Sequence, residues 1–249
     1  DTGANASVIS GELAATLDLP VGRSVNLHSI AGVELVGTVT AATVAVGRRV
    51  RRDLNLSVLP GRFVRAHGVL GLDWLGTQGL ILDFAREQMR LGSIVPRTDE
   101  MTVSVPIKAS HSGLHLIEAS VGEGSALAFL DTGSTTTVGN RALMEMAMSQ
   151  RAVITEWADI ELASLTGQVM RGRLGAIRTV SLGKIALRNA PVVFGPVHTF
   201  DYWKLTDRPA ILIGMDILGA FESVALDFNR GQVHFRLRSS SARAVSAMS

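Results

Sequence analysis

Ala128-Phe129-Leu130-Asp131-Thr132-Gly133-Ser134 reads as an apolar strand that ends in an aspartate and a glycine turn, and its Asp-Thr-Gly occurs a second time. The other copy is Asp1-Thr2-Gly3, followed by Ala4. Each copy is followed much later by an apolar pair, a glycine and an aspartate. These boxes are Val69-Leu70-Gly71-Leu72-Asp73-Trp74-Leu75 and Leu212-Ile213-Gly214-Met215-Asp216-Ile217-Leu218. Two carboxylates in duplicated settings imply one site built across a pseudo-two-fold axis. A single Asp-Thr-Gly is weak, expected by chance in roughly one chain of this size in twenty. Two copies with matching surroundings in the same order are a strong signal.

The repeat extends between motif and box. Asn26 to Gly37 contains Ser29-Ile30-Ala31-Gly32, and Glu161 to Gly172 contains Ser164-Leu165-Thr166-Gly167. Alternating apolar residues flank both glycines, so each stretch is expected to form a β-hairpin with glycine at its tip. A second hairpin follows in each copy, Val44 to Leu59 around Gly47 and Ile177 to Phe194 around Gly183. Each copy closes with paired strand signals, Gly79–Phe84 with Met89–Leu91 and Ser223–Phe228 with Val233–Phe235. Helix signals are few: Gly11 to Asp18, Arg141 to Gln150, and one or two turns after Gly71 and Gly214. The expected class is mainly β.

Composition sets wide bounds. The chain has 249 residues, 47% of them hydrophobic, enough for a sizeable core. A formal charge of +2 demands no acidic partner, and no nucleic-acid partner is expected. There is no cysteine, hence no disulfide framework, which fits cytoplasm and periplasm alike. No apolar run reaches membrane-spanning length; Ala210 to Phe221 is interrupted by Asp216.

Repeat one is assigned to residues 1–97 and repeat two to 98–238, with a Ser- and Ala-rich tail, 239–249, expected to be disordered. Before Asp131 lies a hairpin, His115–Val121 and Ser125–Leu130 around Gly122-Glu123-Gly124, whose second strand delivers the aspartate. Asp1 has no such hairpin before it. A preceding segment of at least hairpin size is therefore expected, with room for a signal peptide or membrane anchor, and lobe one would otherwise expose a sheet edge. The alternative is that Asp1 is a mature terminus whose amine favours the charged carboxylate.

On these motifs the chain resembles a bacterial retropepsin-like aspartic peptidase of the pepsin clan, with two retropepsin-type lobes fused in one polypeptide. The resemblance covers nearly the whole chain. It implies two pepsin-like closed barrels related by a pseudo-two-fold axis, with few short helices. It also implies a catalytic dyad of Asp1 and Asp131, with Thr2, Gly3, Ala4, Thr132, Gly133 and Ser134 in support. Ser29, Ile30, Ala31 and Gly32, and Ser164, Leu165, Thr166 and Gly167, match the family's substrate-binding flaps. The implied activity is endopeptidase hydrolysis of a polypeptide, with no cofactor or metal. A monomer suffices because both halves are present. A periplasmic or membrane-associated location follows from the resemblance alone. The competing reading is an inactive module of the same fold that binds peptides or mediates association.

The residue types have chemical reasons. Two adjacent carboxylates share one proton because both cannot ionise together; aspartic peptidases are themselves the standard instance of this behaviour. The charged one activates a water, and the protonated one polarises the scissile carbonyl and later protonates the leaving amine. Thr2 and Thr132 are expected to bond across the axis. Gly3 and Gly133 permit close approach to the carboxylates. A Ser134 hydroxyl is expected to donate to its carboxylate and lower that pKa, which Ala4 cannot do. The expected optimum is mildly acidic, roughly pH 4 to 6.

Other candidates read as structural. Asp73 and Asp216 are expected to cap helices, and Asp83 and Asp227 to bond turns. Arg48, Arg49, Arg51 and Arg52 read as a solvated turn. His111 and His115 share helical spacing but lack an acidic ligand and enclose Gly113, so no metal is expected. Gly122-Glu123-Gly124 is a turn and not a phosphate loop. The flap tyrosine of pepsins has no counterpart in the flap sequences. Repeat two is longer chiefly at His198 to Arg208, with Phe200, Tyr202 and Trp203; this insertion either lines a specificity pocket or packs lobe two.

Overall fold

The computed structural model describes residues 1–76, 79–97, 99–109 and 114–238, so the expected disordered tail and His111 lie outside the described residues. In the first half, β1 (Val8–Ser10) feeds α1 (Gly11–Thr16). The Ser10 hydroxyl accepts from the Leu13 N–H at 3.2 Å, satisfying a donor that a helix start leaves free. There follow β2 (Val25–Ser29), β3 (Gly32–Val36), β4 (Thr38–Val46), β5 (Arg49–Leu59), a single turn α2 (Gly61–Val64), β6 (Gly68–Val69), α3 (Leu72–Leu75), β7 (Gly79–Asp83) and β8 (Gln88–Gly92).

The second half opens with three strands, β9 (Thr102–Ala109), β10 (His115–Val121) and β11 (Gly124–Leu130). It then repeats the order of the first. Its elements are β12 (Val138–Gly139), α4 (Arg141–Ser149), β13 (Ala158–Ala163), β14 (Val169–Leu182), β15 (Ile185–Phe194), α5 (His198–Tyr202), β16 (Ala210–Ile213), α6 (Met215–Leu218), β17 (Ser223–Asp227) and β18 (Gln232–Arg236). The fold is mainly β. Two-residue turns join β4 to β5, β10 to β11 and β14 to β15, each with a positive-φ glycine first (Gly47, Gly122, Gly183), a conformation other residues adopt only with strain.

The pairings match between halves. β1 lies between parallel β5 and antiparallel β6, and β12 lies between parallel β15 and antiparallel β16. β7 and β17 pair antiparallel with Ile81 opposite Ala225, its own counterpart in the repeat, which is the register a two-fold axis requires. β8 and β18 flank them, and β9 joins β18 to β10, so one continuous sheet ties the halves together.

Among the described residues the two lobes differ in how far their strands close on themselves, as expected from the absence of a hairpin before Asp1 in residues 1–97. In lobe two β10 pairs with β14, closing a ring of β10, β11, β16, β12, β15 and β14. In lobe one β4, β5, β1 and β6 form an open four-stranded sheet. The closing element in lobe two is the β10–β11 hairpin, and residues 1–97 contain no equivalent of it.

The cores follow the same division. Ile9, Val39, Leu54, Leu56 and Trp74 pack lobe one, with Trp74 fully enclosed. A larger cluster, including Ile117, Leu143, Ile177, Val192 and Phe235, fills lobe two and the shared sheet. Phe129, one residue before the end of β11, packs edge-on against Phe200 and Trp203. Burial of such a ring contributes about 1.5–3 kcal/mol and fixes the strand that presents Asp131. Of the two readings of the 198–208 insertion, Phe200 and Trp203 therefore follow the packing one. No helix among the described residues is long and apolar enough to cross a membrane.

The arginine cluster is corrected. Arg48 and Arg52 are exposed, but Arg49 donates to the Leu75 carbonyl (2.7 Å) and Arg51 to the Trp74 carbonyl (2.9 Å). Those carbonyls end α3 without partners in the helix and carry its negative pole, so they attract cations. Arg49 also lies 5.1 Å over the Trp74 ring.

Candidate active site

Both Asp-Thr-Gly loops meet at one centre. The Thr2 N–H donates to Thr132 Oγ1 (3.2 Å) and the Thr132 N–H to Thr2 Oγ1 (3.1 Å). The Thr2 hydroxyl donates to the Leu130 carbonyl at 2.6 Å. Each loop thus completes the backbone bonding of the other, and the two strand ends are held in fixed relation. The main-chain nitrogen of Asp1 donates to the Leu70 carbonyl (2.8 Å), as that of Asp131 does to Ile213 (3.0 Å).

Asp1 Oδ1 accepts from the Gly3 N–H (2.9 Å) and the Ala4 N–H (3.0 Å), and Asp131 Oδ1 from the Gly133 N–H (2.8 Å). A Cβ placed on Gly3 would overlap the Asp131 carboxyl group, and one on Gly133 the Asp1 carboxyl group. The glycines therefore make room for the opposite lobe's carboxylate, which brings Asp1 and Asp131 to one site. Asp131 keeps partial solvent access. Burial of its carboxyl group raises its pKa, against the lowering effect of backbone N–H donors led by Gly133.

One expectation fails here. The Ser134 hydroxyl donates to the Thr136 carbonyl (2.7 Å) and makes no bond to Asp131. The local turn supplies a nearer acceptor, so the expected lowering by this hydroxyl is absent.

Behind the loops, two matched networks lock the glycine boxes. The Ser7 hydroxyl donates to Asp73 Oδ1 (2.6 Å), the Ser7 N–H donates to Asp73 Oδ2 (2.9 Å), and Ser7 Oγ accepts from the Gly71 N–H (2.9 Å). Thr137 does the same with Asp216 (2.7 and 2.9 Å) and the Gly214 N–H (3.0 Å). The N-cap residues of α3 and α6 are Gly71 and Gly214, but Asp73 and Asp216 still accept first-turn helix N–H groups, from Trp74 (2.7 Å) and Ile217 (2.9 Å), while tying each helix to the segment that follows an Asp-Thr-Gly loop. Asp83 and Asp227 bond their turns as expected, through the N–H and guanidinium of Arg86 and Arg230. Thr137 is fully buried. Thr137→Val strands the Gly214 N–H and should lower unfolding free energy by about 1–3 kcal/mol, with a similar cost for Ser7→Ala, measured by urea denaturation.

The flaps cross to the opposite lobes. The β2–β3 turn is Ile30-Ala31, so Gly32 begins β3 and is not the tip; its φ of 152° still suits glycine. Gly167 (φ 83°) closes the other turn, its N–H donating to the Ser164 carbonyl at 3.0 Å. Leu165 packs among Val8, Val36, Leu59 and Val64 of lobe one, and Gly167 lies against the Phe63 ring of α2. Ile30 and Ala31 pack on the lobe-two cluster that includes Phe200 and Trp203. Ser29 meets Thr166 and Gln168 at 3.5 Å, and Ser164 bonds Thr166 at 2.8 Å, so the flaps touch.

Sequence reading missed four contributors: His28, Phe63, Gln168 and His198. The α5 segment brings His198 to the lobe-one flap, where its N–H donates to the Ile30 carbonyl (2.9 Å) and its Nε2 lies 2.9 Å from His28 Nδ1. Tyr202, absent from either flap sequence, arrives beside His28 with ring centroids 4.2 Å apart. The aromatic insertion was the one visible signal. Among the described residues no three His, Cys, Asp or Glu side chains cluster as metal ligands would.

Comparison with known proteins adds the family. Residues 1–77 match the family described as "gag-polyprotein putative aspartyl protease", and residues 117–217 match the family described as "aspartyl protease". A similar solved structure is the crystal structure of a retropepsin-like aspartic protease from Rickettsia conorii. It is 17% identical, covers 55% of this chain and 90% of its own, and has a TM-score of 0.37. No curated protein matches the chain. An aspartyl protease family is matched in each half separately, so the chain is similar to aspartyl proteases in both of its lobes.

Proposed function

We propose that the protein is an aspartic endopeptidase working as a monomer, with Asp1 and Asp131 as its dyad. The observation that carries this reading is the crossed packing of each carboxyl group against the other loop's glycine, fixed by the reciprocal Thr2–Thr132 bonds. Burial that disfavours ionised Asp131 makes it the proton-bearing partner. Because two adjacent carboxylates share one proton, Asp1 is then the charged partner.

A water between the two then attacks the scissile carbonyl carbon. Its proton passes to Asp1 as its oxygen bonds to carbon, and Asp131 gives its proton to the carbonyl oxygen. In breakdown the C–N bond breaks, and because Asp131 has given up its proton the amine nitrogen takes the one held by Asp1, the carboxyl that began charged and not the one expected from the sequence, while a hydroxyl of the intermediate returns a proton to Asp131. The dyad is restored with no covalent intermediate. The crossed flaps supply main-chain edges to which an extended peptide adds as a strand.

The test is cleavage of a denatured protein mixture across pH 3 to 8, read by mass spectrometry with and without pepstatin. Cleavage should be greatest in mild acid, roughly pH 4 to 6, and fall as Asp131 loses its proton. Cleavage undiminished at pH 8 contradicts the mechanism. No cleavage at any pH by folded protein favours the binding module instead.

A further inference from the structure

We propose that His28 and His198 are positioning residues that hold the lobe-one flap over the cleft at neutral pH and release it in mild acid. The inference rests on the peptidase reading for its consequence, but not for its geometry. The β2–β3 hairpin forms a two-stranded sheet of its own and, among the described residues, pairs with no other strand. Such a hairpin is marginal alone, so its placement depends on what holds its sides and tip.

The holding contacts come from α5, on the opposite lobe. The main-chain N–H of His198 donates to the Ile30 carbonyl at the flap tip, a bond that does not titrate, and its ring lies nearly parallel to that of His28 with centroids 5.2 Å apart at 10°. The Nδ1–Nε2 separation of 2.9 Å requires one nitrogen with a hydrogen and one without. When both rings are protonated no acceptor remains, and two cations face each other. The same elements present few other charges. Glu34 pairs with Leu27 and so lies on the hairpin face opposite His28. Asp201 on α5 accepts from the Thr206 hydroxyl (2.6 Å).

The sign follows from His28, whose pKa is lowered by burial first and by the His198 charge second. A depressed imidazole pKa means the closed contact is intact above about pH 6.5 and is lost as pH falls through the lowered value. Lobe two's flap has no such switch, since it rests on Phe63 and an apolar cluster. Acid would thus free one flap over the range in which the dyad holds its single proton.

The experiment is amide hydrogen exchange of residues 25–36 at pH 7.5 and 5.0, corrected for intrinsic rates, with the Gly47 hairpin as internal reference. Wild-type flap exchange should rise about tenfold at pH 5.0, the scale of one ordinary hydrogen bond. His198→Ala should exchange fast at both values. His28→Gln, which bonds but does not titrate, should stay slow at both. On a peptide substrate, His198→Ala should alter KM at pH 7 with kcat within about twofold, the difference closing by pH 5. Equal wild-type exchange at both pH values, or an acid rise that His28→Gln retains, overturns the proposal. Loss of all cleavage in wild type would defeat the peptidase reading while the exchange data still decide the latch. If His198→Ala fails to fold, His28→Gln decides alone.

Discussion

Asp131→Asn should lower peptide-bond cleavage by roughly 10²–10⁴-fold, because an amide can neither carry the shared proton nor return it. The fold should survive, since asparagine retains the oxygen that accepts from the Gly133 N–H. A stability signature accompanies the loss. The Asp131 pKa is raised in the folded protein, chiefly by burial. Such a group is protonated in both states in strong acid, and its ionisation costs stability as pH rises through the folded value. The Tm of Asp131→Asn should therefore match wild type near pH 3 and exceed it near pH 8. Thermal melts at the two pH values and a peptide-cleavage assay read both effects. A variant that cleaves at the wild-type rate removes Asp131 from the chemistry. A Tm gap that is equal at both pH values removes the buried carboxylate as its cause.

Gly133→Ala should lower kcat/KM by about 10²-fold, the scale associated with an ångström of misplacement in a reacting group. The added methyl would overlap the Asp1 carboxyl group and displace it from the two N–H donors that hold it. Gly3→Ala should do the same to Asp131 from the other side. The backbone at both positions lies outside the positive-φ region, so an alanine carries no conformational strain of its own. The effect should therefore appear in activity while the urea midpoint moves little. Kinetics with a fluorogenic peptide measure it, and wild-type kcat/KM in both variants would show that the carboxylates are not confined where the structure places them.

The duplicated Asp-Thr-Gly, the glycine boxes and the hairpin positions were legible because each is encoded in neighbouring residues. Strand alternation, turn glycines and motif order need no knowledge of distant contacts. Ser134 was misread because its local turn offered the Thr136 carbonyl, a competition that residue identity does not reveal. Arg49 and Arg51 were misread because their acceptors, Leu75 and Trp74, lie more than 20 residues away and become available only when α3 ends beside β5.

By itself, the sequence determined a mainly β chain with two copies of one lobe and a candidate carboxylate in each, since repetition and short-range pattern survive without coordinates. Only the tertiary structure decided that lobe two closes a ring through β10 and β14, and that each flap rests on the other lobe. It alone set His28 against His198, 170 residues apart. The physical reason is common to all three. Pairing across a ring, flap crossing and an imidazole contact depend on how separately folded segments pack, and the energy that selects among packings belongs to no single stretch of chain.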